Sequence, residues 1–440
     1  MKNLSERPVY IVADDFTGSA DSANYFGVGG RNVRVSFDRE QPWDFSLGAG
    51  VVQVFDSESR TLPAVTAAKR VYQAGQKLFD HDIAHAAIYK KVDSTMRGHV
   101  GAEIESMLMS TRRHLALLAP AFPANGRVVV DGCLLVHGVP VRQTAFAKDP
   151  RNPIVQDDVA GIVQRTTNVP VIVMAQSVIR NGIGSIQSFL DDVREPYTVV
   201  VADAETDDDL AVIAAAIADD LNVLPCGSAG LARRLAPFWC RREIVTEIED
   251  PQRQLPVCER VIVAVGSANP VAKEQLAVLL STLETDAVVM SPIQLSDAQT
   301  QFLEMERATQ EIMSIDDRIV AISLSTDRAN RSDNLPGTFE GDLAIVVQRY
   351  LKVLDIMPIG LIATGGDTAF ALCQALSAKA FWPQGEIATG MPWSWLETDL
   401  GTFPIVSKAG GFGSVEALYT AVAALTGAQG QLRPFGDDQS

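Results

Sequence analysis

Short apolar runs recur along this chain, each followed by a turn and then by a segment of helical period. Val9–Ala13 leads to Ala20–Tyr25, and Ala86–Tyr89 leads to Val100–Met109. Further on, Val199–Ala202 leads to Leu210–Ala218, and Val261–Val265 leads to Ala272–Leu280. The runs are continuous, the pattern of strands covered on both faces, and the segments between them space their apolar residues as amphipathic helices do. Strand and helix in alternation predict an α/β fold with mostly parallel sheets.

A chain of 440 residues exceeds the roughly 250–300 at which single cores stop growing. Glu243–Pro256 is polar, carries two prolines and precedes a fresh apolar run, so a boundary is expected there. The prediction is an α/β domain at 1–245, a second at 256–430, and an active site in the cleft between them. With 47% hydrophobic and 21% charged residues, there is apolar material for two cores. Gln143–Asp158 lacks periodicity and contains Pro150 and Pro153, as expected of a long loop of the kind that covers sites.

The net charge of -17 argues against nucleic acid as a partner, and makes any local cluster of cations informative. No apolar stretch approaches the roughly 18 residues of a membrane span, and the first apolar run, Val9–Ala13, is too short for a signal peptide. Cys133, Cys226, Cys240, Cys258 and Cys373 are scattered and read as reduced thiols. A cytoplasmic protein is the expectation, and the sequence leaves a homodimer open.

Three constellations can carry chemistry. Asp14 and Asp15 follow the first apolar run, where the carboxyl end of a parallel strand points into a ligand crevice. Helix capping by Thr17 or Ser19, with Asp21 in the first turn, accounts for the flanking residues but not for two adjacent aspartates. A phosphatase acting through Asp14 or Asp15 would need a second aspartate where Phe16 stands. After Ala86–Tyr89 comes Lys90-Lys91-Val92-Asp93-Ser94-Thr95-Met96-Arg97, three cations in eight residues. Lys91 and Arg97 suit a carboxylate or phosphate, Asp93 a substrate hydroxyl, and Ser94 and Thr95 further hydroxyls. The bland alternative is a solvated loop with Ser or Thr capping the next helix.

The third constellation is a set of glycine-rich turns in the second half: Gly266-Ser267-Ala268-Asn269, Thr364-Gly365-Gly366-Asp367-Thr368, and Lys408-Ala409-Gly410-Gly411 through Ser414. Glycines let backbone amides approach an anion, and a helix N-terminus adds partial positive charge. Each alone is an ordinary connector; three in one domain, the last with Lys408, point to a nucleotide triphosphate. Neither a Walker A nor a GxGxxG pattern is present. His81 and His85 share a helical face, but capping of a helix end explains them better than a metal.

The segments ADDFTGSADSA (13–23) and KKVDSTMRGHVGAEI (90–104) resemble those of the four-carbon acid sugar kinases. The resemblance continues through PAFPANGR (120–127), GSAGLA (227–232), ATGGDTA (363–369) and SKAGGFG (407–413), essentially the whole chain. It implies ATP-dependent phosphorylation of a four-carbon acid at its terminal hydroxyl, with Mg²⁺. D-threonate or D-erythronate is the expected acid and a 3-oxo-tetronate the alternative, a choice resting on the segment Gln143–Pro150. The acid is expected on Asp15, Arg60 and Lys91 to Ser94, and ATP on Ser267, Thr364 to Asp367 and Lys408 to Gly411. Asp15 or Asp93 would be the base, and the metal ligands stay open. Gly411 departs from the asparagine or alanine usual there. A two-lobed sensor shares this architecture, yet two different polar constellations suit an enzyme with two substrates better.

Overall fold

The computed structural model describes residues 7–28, 31–81, 85–149, 152–240, 255–283, 286–327, 329, 337–355, 357–388 and 390–428. The chain divides into two compact units, residues 1–246 and 247–440. Most of the expected boundary at Glu243–Pro256 lies outside the described residues.

The first unit is built on eight parallel strands. In chain order the strands are β1 (Val9–Ala13), β2 (Asn32–Ser36), β3 (Val51–Asp56), β4 (Ala87–Lys91), β5 (Leu115–Ala119), β6 (Arg127–Val130), β7 (Cys133–Val136), β8 (Val139–Pro140), β9 (Val171–Met174), β10 (Thr198–Ala202) and β11 (Val223–Gly227). The parallel sheet runs β2-β3-β1-β4-β11-β5-β10-β9, while β6-β7-β8 form a small antiparallel meander. Strands β1, β4, β5, β10 and β11 are buried at every position, which is why their sequences do not alternate. Helices α1 (Phe16–Val28), α2 (Ala64–Asp80), α3 (Val100–Thr111), α4 (Val159–Gln164), α5 (Gln176–Arg180), α6 (Ile183–Asp191), α7 (Asp207–Ile217) and α8 (Ala229–Trp239) connect them. Along α2 the buried residues are Ala67, Val71, Ala74, Gly75 and Leu78, one stripe at helical spacing. Successive strands β2 and β3 lie on one side of β1 and β4 on the other, so the order reverses at β1, the place where open α/β sheets hold ligands.

The second unit contains β12 (Arg260–Val265), β13 (Ala287–Met290), β14 (Ile319–Leu324), β15 (Ile359–Thr364), β16 (Ala380–Ala388), β17 (Met391–Thr398) and β18 (Gly401–Lys408). Its helices are α9 (Pro270–Leu283), α10 (Ala298–Ser314), α11 (Phe339–Leu351), α12 (Gly366–Ala375) and α13 (Ala417–Thr426). Strands β13-β14-β12-β15-β18 are parallel, and β17 and β16 follow as an antiparallel pair on β18. Val261, Val263, Val265, Leu276, Leu279, Ile362 and Leu425 belong to a core between this sheet and helices α9 and α13. Among the described residues no helix is long and apolar enough to cross a membrane, and the cysteines form no disulfide.

Candidate active site

In the first unit the carboxyl ends of β3, β1 and β4 bring the first two motifs together. Ala13 of β1 lies opposite Asp56 of β3, and Val12 lies opposite Lys90 of β4. The chain leaving β3 is stitched back onto β1. The Ser57 amide and hydroxyl donate to the Ala13 carbonyl at 2.9 and 2.6 Å, and the Arg60 amide donates to the Asp14 carbonyl at 3.1 Å. This delivers the Arg60 guanidinium among three carboxylates. Its Nε donates to Asp14 Oδ2 at 2.9 Å, its Nη1 lies 2.6 Å from Asp15 Oδ2, and its Nη2 lies 3.8 Å from Asp93 Oδ1.

Asp15 also caps α1. Its Oδ1 accepts from the Gly18 amide at 2.8 Å, the contact of a cap with the third helical residue. The cap expected from Thr17 or Ser19 is therefore supplied two or four residues earlier, by Asp15. Helix α1 begins at Phe16, so Ser19 is buried within it and Asp21 falls in its second turn.

Asp93 is surrounded by donors. It accepts from Arg97 Nε at 2.7 Å, Arg97 Nη2 at 3.1 Å, the Arg97 amide at 3.3 Å and the Thr95 hydroxyl. Two left-handed residues, Met96 (φ 63°) and Gly98 (φ 91°), bend the loop so that Arg97 returns over Asp93. Arg97 Nη1 donates to Asp149 Oδ2 at 3.3 Å, and the guanidinium stands 5.3 Å from the centre of the Phe146 ring. Phe146 and Asp149 belong to the predicted loop over 143–158, so that loop does meet the motif; Pro150 and Arg151 lie outside the described residues.

The three aspartates are driven apart in acidity. Burial raises Asp14, but Arg60, Lys91 and Lys90 outweigh it and hold the carboxyl below its ordinary range. For Asp15 burial wins, Arg60 offsets it only in part, and adjacent Asp14 adds to the rise, so its pKa is raised. Burial of Asp93 is overcome by Arg60 and Arg97, which keep it well below the usual carboxylate range. Asp14 Oδ1 is buried without a hydrogen-bond partner.

Lys91 is 4% exposed, and its ammonium donates to the Val92 carbonyl at 2.9 Å. No carboxylate of the described residues pairs with it. A β-carbon on Gly18 would stand 2.7 Å from this ammonium, so only glycine leaves the room it occupies. Val92 contributes backbone alone: its side chain is buried, its carbonyl holds Lys91, and its amide donates to Gly227 at 2.8 Å. Ser94 is half-buried beside Asp93.

The second unit gathers the three glycine-rich turns at the carboxyl ends of adjacent parallel strands. Val265 of β12, Thr364 of β15 and Lys408 of β18 end in register. The turns touch. A β-carbon on Gly410 would fall 2.1 Å from Ser267 Oγ, one on Gly411 2.8 Å from Asn269 Nδ2, and one on Gly365 (φ 105°) 3.3 Å from Ser267 Cβ. The Gly365 amide donates to the Lys408 carbonyl at 2.8 Å. Gly366 and Asp367 open α12, Asp367 and Ala409 are exposed, and the Thr364 hydroxyl is buried without a partner. Lys408, 4% exposed, donates to the Ala409 carbonyl at 2.9 Å, and burial lowers its pKa. It too lacks a carboxylate partner among the described residues.

Sequence reasoning missed Gln275 of α9. Its Nε2 faces the carbonyls of Phe412, Gly413 and Ser414 at 3.0, 3.3 and 2.7 Å, bracing the third glycine-rich turn from beneath. Only its position on the buried stripe of α9 hinted at it. His81 ends α2 as its C-cap and stacks on Phe45 at 3.8 Å between centres; Asp82–Ala84 lie outside the described residues.

Residues 9–235 match the sugar-binding N-terminal domain family, and residues 262–418 match the nucleotide-binding C-terminal domain family. Over 94% of its length the chain is 31% identical to the D-threonate kinase of Salmonella typhimurium LT2, covering 97% of that protein. The chain belongs to the four-carbon acid sugar kinase family. The D-erythronate kinase of Heliobacterium modesticaldum is 27% identical over 94% of this chain and 96% of its own. A crystal structure of a Haemophilus influenzae protein shares the fold with a TM-score of 0.71 at 19% identity, covering 95% of this chain and all of that one. For a four-carbon acid sugar kinase, the two turn clusters provide one polar constellation per unit.

Proposed function

We propose that this kinase transfers the γ-phosphoryl group of ATP to the terminal hydroxyl of D-threonate or D-erythronate in the cytoplasm, with the acid on the first unit and ATP on the second. The observation that carries this reading is the pair of buried ammonium groups, Lys91 and Lys408, each 4% exposed and neither in a direct ion pair among the described residues. A buried cation without a direct ion-pair partner is costly, and at Lys91 the nearby charge of Asp14 offsets that cost without contact, so each ammonium is placed to meet an anion. Lys91 would meet the carboxylate of the acid. Lys408 would meet ATP phosphates, cradled by the backbone of Ser267, Gly365 to Asp367 and Ala409 to Gly411.

In this reading Asp15 is the base. The hydroxyl oxygen forms a bond to the γ-phosphorus as the bond to the bridging β–γ oxygen breaks; the hydroxyl proton passes to Asp15, and ADP leaves. Asp93, held by Arg97, Thr95 and Arg60, is too strongly anionic to take a proton and serves to orient Arg97. Asp14 Oδ1, buried and unpartnered, is free to accept a substrate hydroxyl.

Mg²⁺ fits this arrangement only as a companion of ATP. No group of three metal-ligating side chains occurs among the described residues, and Asp367 is the carboxylate in the phosphate turns. The ion would be held by phosphate oxygens, water and Asp367, and would neutralise phosphate charge.

The test is ADP release from Mg-ATP with D- and L-threonate and D- and L-erythronate as acceptors. Turnover with one D-acid supports the reading. ATP binding without turnover on any of the four refutes the substrate assignment, and absence of ATP binding refutes the nucleotide site.

A further inference from the structure

Behind Lys91 lies a second buried lysine that the proposed chemistry does not use. Successive strand residues point to opposite faces of a sheet. Lys91 reaches Gly18 of α1, whereas Lys90 reaches Glu103 of α3, with Nζ and Oε2 2.8 Å apart. Lys90 is 0% exposed and Glu103 2%. Stability is a weak reason to keep such a pair, since apolar residues of like volume usually serve a core as well or better.

Its second bond gives the better reason. Lys90 Nζ also donates to the Lys91 carbonyl at 2.9 Å. The ladder between β1 and β4 ends at Val12 opposite Lys90, while on the other side Gly227 of β11 lies opposite Lys91 and takes the Val92 amide at 2.8 Å; beyond it the chain departs toward Asp93 and Arg97. Two consecutive carbonyls are thus gripped by two consecutive lysines: Lys90 holds that of Lys91, and Lys91 holds that of Val92. The Gly227 carbonyl holds the Val92 amide on one edge, this interlock holds the Lys91 and Val92 carbonyls, and Glu103 anchors it from the neighbouring helix, so the peptides from which Lys91 and Asp93 project are held on both sides.

We propose that Lys90 and Glu103 are a positioning couple that sets the geometry of the acid site, an inference that rests on the acid binding beside Lys91. Glu103 keeps the Lys90 ammonium aimed, and Lys90 keeps the Lys91 peptide in the orientation that points its side chain at the acid.

The test is steady-state kinetics and thermal melting of Lys90→Met/Glu103→Leu, which removes both charges and so leaves neither one buried alone. The acceptor is whichever of D-threonate and D-erythronate the wild type turns over faster, and Lys91→Ala is run alongside. The expected result is a folded protein whose KM for the acid rises about tenfold, the effect of one hydrogen bond to a charged group, with KM for ATP unchanged. An unchanged acid KM, or acid and ATP KM rising in parallel, overturns the proposal. Should the double variant fail to fold, Glu103→Gln, which keeps an acceptor of the same length, is read by the same criteria. A normal acid KM in Lys91→Ala would instead overturn the placement of the acid, which distinguishes the two failures.

Discussion

Arg60 Nη1 lies 2.6 Å from Asp15 Oδ2, and the same guanidinium donates through Nε to Asp14 at 2.9 Å. One cation thus serves two adjacent carboxylates whose acidities move in opposite directions, Asp14 down and Asp15 up. A proton acceptor must be able to hold a proton, and that singles out Asp15. Asp15→Asn is expected to lower kcat by about 10²–10⁴-fold, the usual contribution of a positioned base, with little change in acid KM. In the wild type the acid limb of the kcat/KM profile should lie above the ordinary carboxylate range, because Asp15 must be ionised to act and its pKa is raised. A flat profile down to pH 4 would remove Asp15 from the role.

Asp93 should behave differently. Its removal takes the nearer of two carboxylates from Arg97 and leaves Asp149 at 3.3 Å, so Asp93→Ala is expected to cost about 1.5–3 kcal/mol of stability, the scale of a hydrogen bond to a charged group. The depressed folded pKa adds a pH signature. With the folded value below the unfolded one, the contribution is complete above the unfolded value and is lost as pH falls through the folded one. Chemical denaturation of wild type and Asp93→Ala at pH 7 and pH 3 should show their difference shrinking at the lower pH.

The two lone ammonium groups give separable phenotypes. Lys91→Ala is expected to weaken acid binding by about 1.5–3 kcal/mol and leave ATP binding unaltered. Lys408→Ala should do the reverse. Titration calorimetry with each substrate checks both, and a shared loss in either variant would count against two independent anion sites.

Much of this was legible in the sequence, and particular residues show why. Continuous apolar runs such as Val9–Ala13 and Val199–Ala202 could only be strands covered on both faces, and they are buried at every position. The packing of the glycine-rich turns was readable because glycine is needed where Gly410 abuts Ser267. The antiparallel pair β16 and β17 was not foreseen, since Ala380–Ala388 mixes Trp382, Pro383 and Glu386 and has bulged register. Lys90–Glu103 and Gln275 were invisible for another reason. Their partners lie far off in the chain or are backbone carbonyls, and the fold alone brings them together.

Gln275 supplies a further prediction. Its amide is the donor facing three carbonyls of the turn 412–414. Gln275→Leu removes the donor at similar volume, at a cost of about 0.5–1.5 kcal/mol. KM for ATP should rise about tenfold while KM for the acid stays put, and equal shifts in both would contradict a local brace.

Asp56, at the end of β3, is fully buried, and burial pushes its carboxyl well above the usual range, with Asp15, Glu58 and Asp14 adding to the rise. Because the folded value exceeds the unfolded one, the unfolded chain loses this proton first as pH rises, and stability falls between the two values. Asp56→Asn retains the acceptor for the Glu58 amide, held at 3.0 Å. It is expected to raise Tm more at pH 8 than at pH 5. The same increment at both pH values would show that Asp56 titrates alike in the folded and unfolded chain.

The unmatched lysines also bear on how long a molecule of this enzyme survives. Each substrate that neutralises Lys91 or Lys408 shifts the folding balance by mass action, and the two shifts add when both are bound. An empty enzyme opens more often and is met sooner by proteases than a loaded one. Its abundance would then follow the supply of its own substrates without any dedicated regulator.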